Sequence, residues 1–158
     1  DTHFIAAICG KPDRVSASGR LINSRYAEYL ATTYRYDDRP DLAITCTGGA
    51  ISKKGRPFVH GFEAYFDEAT VLYEFATMGG KPHLAQPLCV LTHEGKVQGP
   101  RTGSGDPVEA FVREIQGAVE GVNSGSVCSE LSSEVARTAL SLCLNEVKAV
   151  QTSRSVKV

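Results

Sequence analysis

Apolar and polar residues alternate with a period of two along much of the first two thirds of the chain. In the segment 13–22, the apolar face consists of Val15, Ala17, Gly19 and Leu21. Such alternation is typical of a strand with one buried face. The same reasoning predicts strands at 31–36, 42–47, 58–66 and 70–75, and a hairpin with strands at 88–92 and 96–98. The connections are short, which favours antiparallel pairing.

Two later segments change to helical spacing. The first predicted helix starts at Asp106-Pro107 with Glu109 completing a capping box, and it ends between Gly121 and Gly125. We expect its apolar stripe to be buried: Val108, Phe111, Val112, Ile115, Val119 and Val122. The second helix, from about Glu130 to Ala149, has a wider stripe: Leu131, Val135, Ala139, Leu140, Leu142, Cys143, Leu144 and Val147.

The two ends of the chain are also patterned. Residues 1–12 have the pattern of the back half of a helix that stops at Gly10, and residues 155–158 that of a short terminal strand. The order of elements predicts an α+β fold, with an open, mainly antiparallel or mixed β-sheet covered by helices on one face. The length of 158 residues fits a single domain, 1–158, which we expect to be the rear part of a larger protein.

The predicted strands carry more aromatic side chains than one covered face requires. They include Tyr34, Tyr36, Phe62, Phe66, Tyr73 and Phe75. An open sheet with an apolar second face is normally a subunit interface. We therefore expect the uncovered face to be available for oligomerisation, as a homodimer or tetramer.

Composition narrows the classes of partner. The net charge is −1, from 17 basic and 18 acidic residues spread along the chain, so we expect neither nucleic acid nor a membrane surface as a partner. Five cysteines, without a C-x-x-C pair, argue against a disulfide framework or a metal site and favour reduced thiols in a cytoplasmic protein. A hydrolase using Cys46 or Cys89 with His60 has no triad spacing to support it.

The sequence resembles a known family along nearly its whole length. The matching features, in order, are Gly10-Lys11-Pro12, Val15-Ser16-Ala17, Phe62-Glu63, His93-Glu94-Gly95, Asp106-Pro107-Val108-Glu109 and the terminal strand Ser155-Val156-Lys157-Val158. Their order and spacing are similar to the C-terminal domain of the glucose-fructose oxidoreductase and inositol dehydrogenase family (Gfo/Idh/MocA). The resemblance implies an NAD(P)-dependent oxidoreductase of a sugar, polyol or related hydroxy compound, in which this domain shapes the substrate pocket and mediates oligomerisation. A non-catalytic α+β binding or scaffold module of the same architecture is the alternative.

The resemblance also bears on the cofactor. In the family, an N-terminal Rossmann domain holds NAD or NADP and supplies a catalytic lysine. Here no G-x-G-x-x-G follows a strand, and Gly103-Ser104-Gly105, the nearest match, is followed by Asp106, which would repel a pyrophosphate. We therefore expect this chain alone to bind no cofactor and to be inactive, with its own Rossmann domain as a partner.

The family places an aspartate and a histidine, four residues apart, in the helix that opens this domain. Counted back from Gly10, the usual register puts that histidine just before residue 1, whereas a helix shortened by three residues makes His3 the catalytic one. In either register the implied chemistry is hydride transfer, with a histidine or lysine relaying the hydroxyl proton. A third interpretation is an exposed His3 with no function.

Two further positions are candidates for substrate binding. Thr47 and Gly48 end a predicted strand where family members border the pocket, although a plain turn that requires glycine is an equal alternative. His60 lies between Phe58 and Phe62 on one strand face, so a packed or interface histidine competes with a substrate role.

Overall fold

The structure, a computed structural model, describes residues 1–50, 54–100, 103 and 108–158. Its helices are α1 (Thr2–Cys9), α2 (Val108–Ser124) and α3 (Ser133–Thr152), with a short 3-10 helix at Ser129–Leu131. Its strands are β1 (Arg14–Ile22), β2 (Tyr26–Arg35), β3 (Ile44–Gly49), β4 (Phe58–Tyr65), β5 (Ala69–Met78), β6 (Lys81–Thr92), β7 (Val97–Gln98) and β8 (Val156–Lys157). The predicted α+β class is confirmed. The predicted cap residues Asp106 and Pro107, together with Ser104 and Gly105, lie outside the described residues.

The described residues form two compact units, each with its own open sheet. One unit comprises residues 1–50 and 108–158, and its strands follow the order β3-β2-β1-β8. The other lies between residues 54 and 103, and its order is β4-β5-β6-β7. Every strand pairing in the described ranges is antiparallel, as predicted. The division into two sheets differs from the single sheet that we expected, because alternation identifies strands but not which edges pair.

The core of the first unit lies between its sheet and helices α1 and α3. It consists of Ile5, Val15, Tyr34, Tyr36 and Leu142. Val15 and Tyr34 are direct cross-strand partners, so their side chains share one face of the sheet. Helix α3 places Ala139, Leu142, Glu146 and Ala149 toward the core, at helical spacing. The opposite face of this sheet is exposed and polar, with Ser16, Ser18, Thr33, Thr45 and Thr47.

Helix α2 forms as predicted, but the prediction that its apolar stripe is buried is wrong. Phe111 and Ile115 are each 64% exposed. The helix instead turns its glycines inward: a Cβ at Gly121 would lie 3.2 Å from the carbonyl oxygen of Ser126, and one at Gly117 would lie 3.3 Å from Leu131. The chain that follows packs closely on this narrow glycine face. Within the described residues, none of the helices has both the length and the apolar character that crossing a membrane requires.

A residue with positive φ follows each of the three α-helices. Gly10 (φ +77°) follows α1 and Gly125 (φ +69°) follows α2, as the sequence predicted. Gly95 (φ +81°) closes the predicted hairpin between β6 and β7. Ser153 (φ +52°) ends α3, and its N–H and that of Arg154 donate to carbonyls of the last helical turn.

Leu142 lies at the centre of this core, with no exposed surface. Leu142→Ala is expected to lower the free energy of unfolding by about 2–5 kcal/mol, because the surrounding side chains fill the cavity only in part. Leu140→Ala is the matched control, since Leu140 is on the same helix and 62% exposed. It should change that free energy by no more than about 0.5 kcal/mol. Urea unfolding followed by circular dichroism measures both, and equal losses would contradict the packing described here.

Candidate functional site

The first turn of α1 meets the end of β3 and the middle of α3. The Asp1 carboxylate lies 2.7 Å from where a Cβ would stand at Gly48. Thr2 Oγ1 lies 3.3 Å from Cys143 Sγ on α3. His3 is exposed on the same turn. We call these residues, Asp1, Thr2, His3, Gly48 and Cys143, the α1 site.

Helix α1 is held firmly behind this turn. Ile5 and Ala6 are buried. At its other end, the Tyr36 hydroxyl donates to the Gly10 carbonyl at 3.2 Å, and the Arg39 guanidinium donates to the Cys9 carbonyl at 2.8 Å. These bonds satisfy carbonyls that a helix end leaves without a partner. His3 is therefore presented from a fixed helix.

A buried polar pair lies beneath the α1 site. The Tyr34 hydroxyl on β2 donates a hydrogen bond to Oε1 of Glu146 on α3, and only 2% of Tyr34 and 7% of Glu146 are exposed. Burial raises the pKa of Glu146, opposed by the hydrogen bond from Tyr34, which lowers it. Burial, the hydrogen bond to Glu146 and its charge raise the pKa of Tyr34. The pair thus joins the sheet to α3 through a neutral tyrosine donor.

Sequence reasoning missed Glu146. A signal was available, because Glu146 continues the spacing of Ala139 and Leu142 and so places a carboxyl group within an apolar helix stripe. A carboxyl group at such a position is buried and needs a donor. The tyrosine-rich strand β2 contains hydroxyl groups that can act as that donor.

The two candidate positions on β3 face opposite ways. Neither forms a turn, because β3 continues to Gly49 and pairs with β2 at Leu30↔Gly48. Gly48 is half-buried and lies beside Asp1, whereas Thr47 is exposed on the polar face of the sheet. Successive side chains of a strand alternate between faces. The structure therefore brings Gly48 to the α1 site, but not the side chain of Thr47.

His60 belongs to the second unit, where it lies within a cluster of rings. Its ring centroid is 5.3 Å from those of Phe58 and Tyr73 and 5.6 Å from that of Phe75. Phe62 packs against Tyr73, with centroids 6.2 Å apart. We call Phe58, His60, Phe62, Tyr73 and Phe75 the aromatic face. His60 is exposed within this cluster.

The five cysteines of the chain are all free thiols. Burial raises the pKa of Cys46, which favours the unreactive thiol. Cys89 is buried in the second unit. In the ranges that the structure describes, no three His, Cys, Asp or Glu residues form a group that could hold a metal ion.

The chemistry available at the α1 site is proton transfer. A histidine side chain can accept or donate a proton, and His3 is exposed at this site. Within the described residues the strands pair only in the antiparallel sense, which differs from the parallel strand-to-helix arrangement of a dinucleotide-binding Rossmann fold.

Comparison with known proteins supports the fold. No protein-family model and no curated protein matches the sequence. An oxidoreductase from Agrobacterium radiobacter, solved in complex with NAD+, L-tartaric acid and magnesium, matches 99% of this chain and 46% of its own, with a TM-score of 0.67 and 12% identity. Myo-inositol 2-dehydrogenase from Lactobacillus plantarum matches 100% of this chain and 46% of its own, with a TM-score of 0.56 and 16% identity.

At 12% and 16% identity, these matches show a shared fold. The chain spans less than half the length of the two oxidoreductases described above. The resemblance to the C-terminal domain of that family is confirmed at the level of the fold.

The buried Glu146 should make stability depend on pH. Its folded pKa is raised, so the folded state binds the proton more tightly than the unfolded state, where the pKa is about 4.3. The contribution of Glu146 to the unfolding free energy should be highest below that unfolded value and should fall as pH rises through the folded pKa. Glu146→Gln keeps an acceptor for Tyr34 but no charge, so its stability relative to the unmodified chain should improve with rising pH.

Urea unfolding at a series of pH values measures this difference. Glu114→Gln is the matched control, because Glu114 is exposed on α2. If Glu146→Gln and Glu114→Gln show the same pH profile relative to the unmodified chain, the buried carboxyl group does not control this titration.

Proposed function

We propose that this chain is the C-terminal domain of an NAD(P)-dependent oxidoreductase that acts on a sugar, polyol or related hydroxy compound. The observation that carries the proposal is the match of 99% of the chain, at a TM-score of 0.67, to 46% of an oxidoreductase. Because the chain corresponds to about half of that enzyme, we propose that the full-length protein has a second domain. We assign the binding of NAD or NADP to that second domain, a Rossmann domain.

The ligands of the neighbours suggest the class of substrate. L-tartaric acid is bound by one of them, and myo-inositol is the substrate named for the other. Both molecules carry hydroxyl groups on adjacent carbons. We propose a polyhydroxylated substrate for the full-length protein, oxidised at one of its secondary alcohols.

We assign the proton-transfer role to His3. The imidazole is exposed on a helix that buries Ile5 and Ala6 and whose C-terminal end is bonded by Tyr36, which suits a group that must meet a substrate hydroxyl in a fixed geometry. Gly48 borders the same turn, and its lack of a side chain leaves room beside Asp1. Thr47, which faces away from α1, has less support as a substrate contact.

We also propose that the aromatic face mediates self-association as a dimer or tetramer. Phe58 is 52% exposed, and so is Leu84, which pairs across the sheet with Phe75. Contiguous apolar surface on a soluble protein is normally an interaction site. A twofold interface would bury the same patch on both copies.

The catalytic proposal is tested in the full-length protein. We expect the full-length protein to reduce NAD+ or NADP+ in the presence of a polyol, which the absorbance of the reduced nicotinamide measures. His3→Asn should lower kcat about 10²–10⁴-fold. His83→Asn is the matched control, since His83 is exposed on β6 in the second unit. It should leave kcat unchanged.

The outcomes test the role of His3 and the oxidoreductase activity separately. Turnover that His3→Asn leaves intact would remove His3 from the mechanism but keep the oxidoreductase. A full-length protein that neither binds nor reduces a nicotinamide cofactor would favour the non-catalytic binding or scaffold module.

Self-association is tested with a pair of lysine substitutions on one strand. Phe58→Lys should shift the sedimentation coefficient to that of a monomer, because it places a charge in the proposed interface. Tyr65→Lys is the control: Tyr65 is 75% exposed on the other face of β4 and should leave the assembly intact. A monomer at high concentration for the unmodified chain would end the proposal.

A further inference from the structure

One edge of β1 has no partner strand over most of its length. β1 lies between β2 and β8 in the sheet, but β8 pairs only with Arg14 and Val15. After β1's pairing with Val156, the edge from Ser16 onward has no strand beside it in the described part of the chain. Such an edge presents backbone N–H and C=O groups that can pair with an added strand.

A groove runs along this edge. It has a volume of about 460 Å³. Its lining consists of Ser16, Ala17, Ser18 and Gly19 on β1, and of Val150, Ser153, Arg154 and Ser155 at and after the C-terminal end of α3. Successive side chains of a strand point to opposite faces of the sheet. Because four consecutive residues of β1 line the groove, the groove lies along the edge of the strand and not over one face. The volume is within the range of ligand sites and has room for a short extended peptide.

The second wall is the end of α3. A helix C-terminus usually presents unpaired carbonyls, which would repel an anion. Here the N–H groups of Ser153 and Arg154 bond to the carbonyls of Val150 and Ala149, both at 3.3 Å. The wall therefore offers serine hydroxyls and the exposed Arg154 side chain to a ligand.

The charges around the groove are mostly positive. Arg154 is part of its wall, and Arg14 and Lys157 are paired across β1 and β8 at one end. Arg20, at the other end, is bonded to Glu28 at 2.7 Å. A second copy of this edge would bring the same arginines together, which disfavours self-pairing. An acidic partner would meet complementary charge.

The usable edge is short. The pairing of β1 with β2 shifts between Arg20 and Leu21, a bulge that bends a strand and ends regular pairing. Pairing is therefore confined to Ser16–Arg20, about the length of the groove.

We propose that this groove binds a short, extended acidic peptide segment of a partner protein. The peptide adds a strand to the edge of β1 through main-chain hydrogen bonds, and one of its carboxylates pairs with Arg154. The binding is distinct from the α1 site and does not depend on the proposed oxidoreductase activity.

The test uses the 158-residue chain and a fluorescent probe peptide, Val-Glu-Val-Glu-Val-Glu, followed by anisotropy. We expect saturable binding and slower amide hydrogen exchange at residues 16–19. Arg154→Glu should weaken binding at least about tenfold, as loss of a charge-assisted hydrogen bond predicts. Arg137→Glu, the same reversal at an exposed position elsewhere on α3, should leave it unchanged. A peptide of the same sequence with N-methylated amides should not bind, because it cannot donate main-chain hydrogen bonds.

Each other result overturns the proposal. Equal binding of the N-methylated peptide would mean that charge alone attracts the probe. Equal effects of the two arginine substitutions would mean that the groove is not where it binds. Protection of residues 16–19 that rises with protein concentration and without peptide would identify a second copy as the occupant.

Discussion

The hydrogen bond between Tyr34 and Glu146 is the interaction on which the arrangement of the first unit depends. Apolar contacts bring α3 to the sheet, but they are not directional. A hydrogen bond between a strand and a helix is directional, and a buried carboxyl group requires it. The bond therefore fixes how α3 is rotated against β2. That rotation places Leu142 in the core and Cys143 beside Thr2.

The position of α1 also depends on this bond, because α1 is a short helix that is held by its neighbours. It packs on α3, and its last carbonyls are held by Tyr36 and Arg39 from the sheet side. Arg39 also lies over the ring of Tyr36, 4.4 Å from its centroid, so one cation stabilises both groups. A helix of eight residues is marginal alone, and these contacts are what make its first turn a defined surface.

Periodicity predicted most of the elements but not how they assemble. Strands β1, β4 and β5, the helices and the glycines that end them follow from spacing and local backbone preference, which act over a few residues. The division into two sheets, the exposure of Phe111 and the burial of Glu146 depend on contacts between distant segments, which a single sequence does not specify. For the candidate site, the resemblance pointed to residues on α1 and on β3, and the structure places Asp1 beside Gly48. The resemblance treated Thr47 and Gly48 as equivalent, although strand alternation separates them.

The α1 site and the groove along β1 both depend on α3, yet they lie at different positions along it. Thr2 contacts Cys143, whereas the groove begins at Val150 and continues past the helix end. At 1.5 Å per residue, Cys143 and Val150 are about 10 Å apart along the axis. A ligand in one place could influence the other only by turning α3, and the buried bond from Tyr34 to Glu146 opposes that rotation. The same bond that positions the α1 site therefore insulates it from the groove.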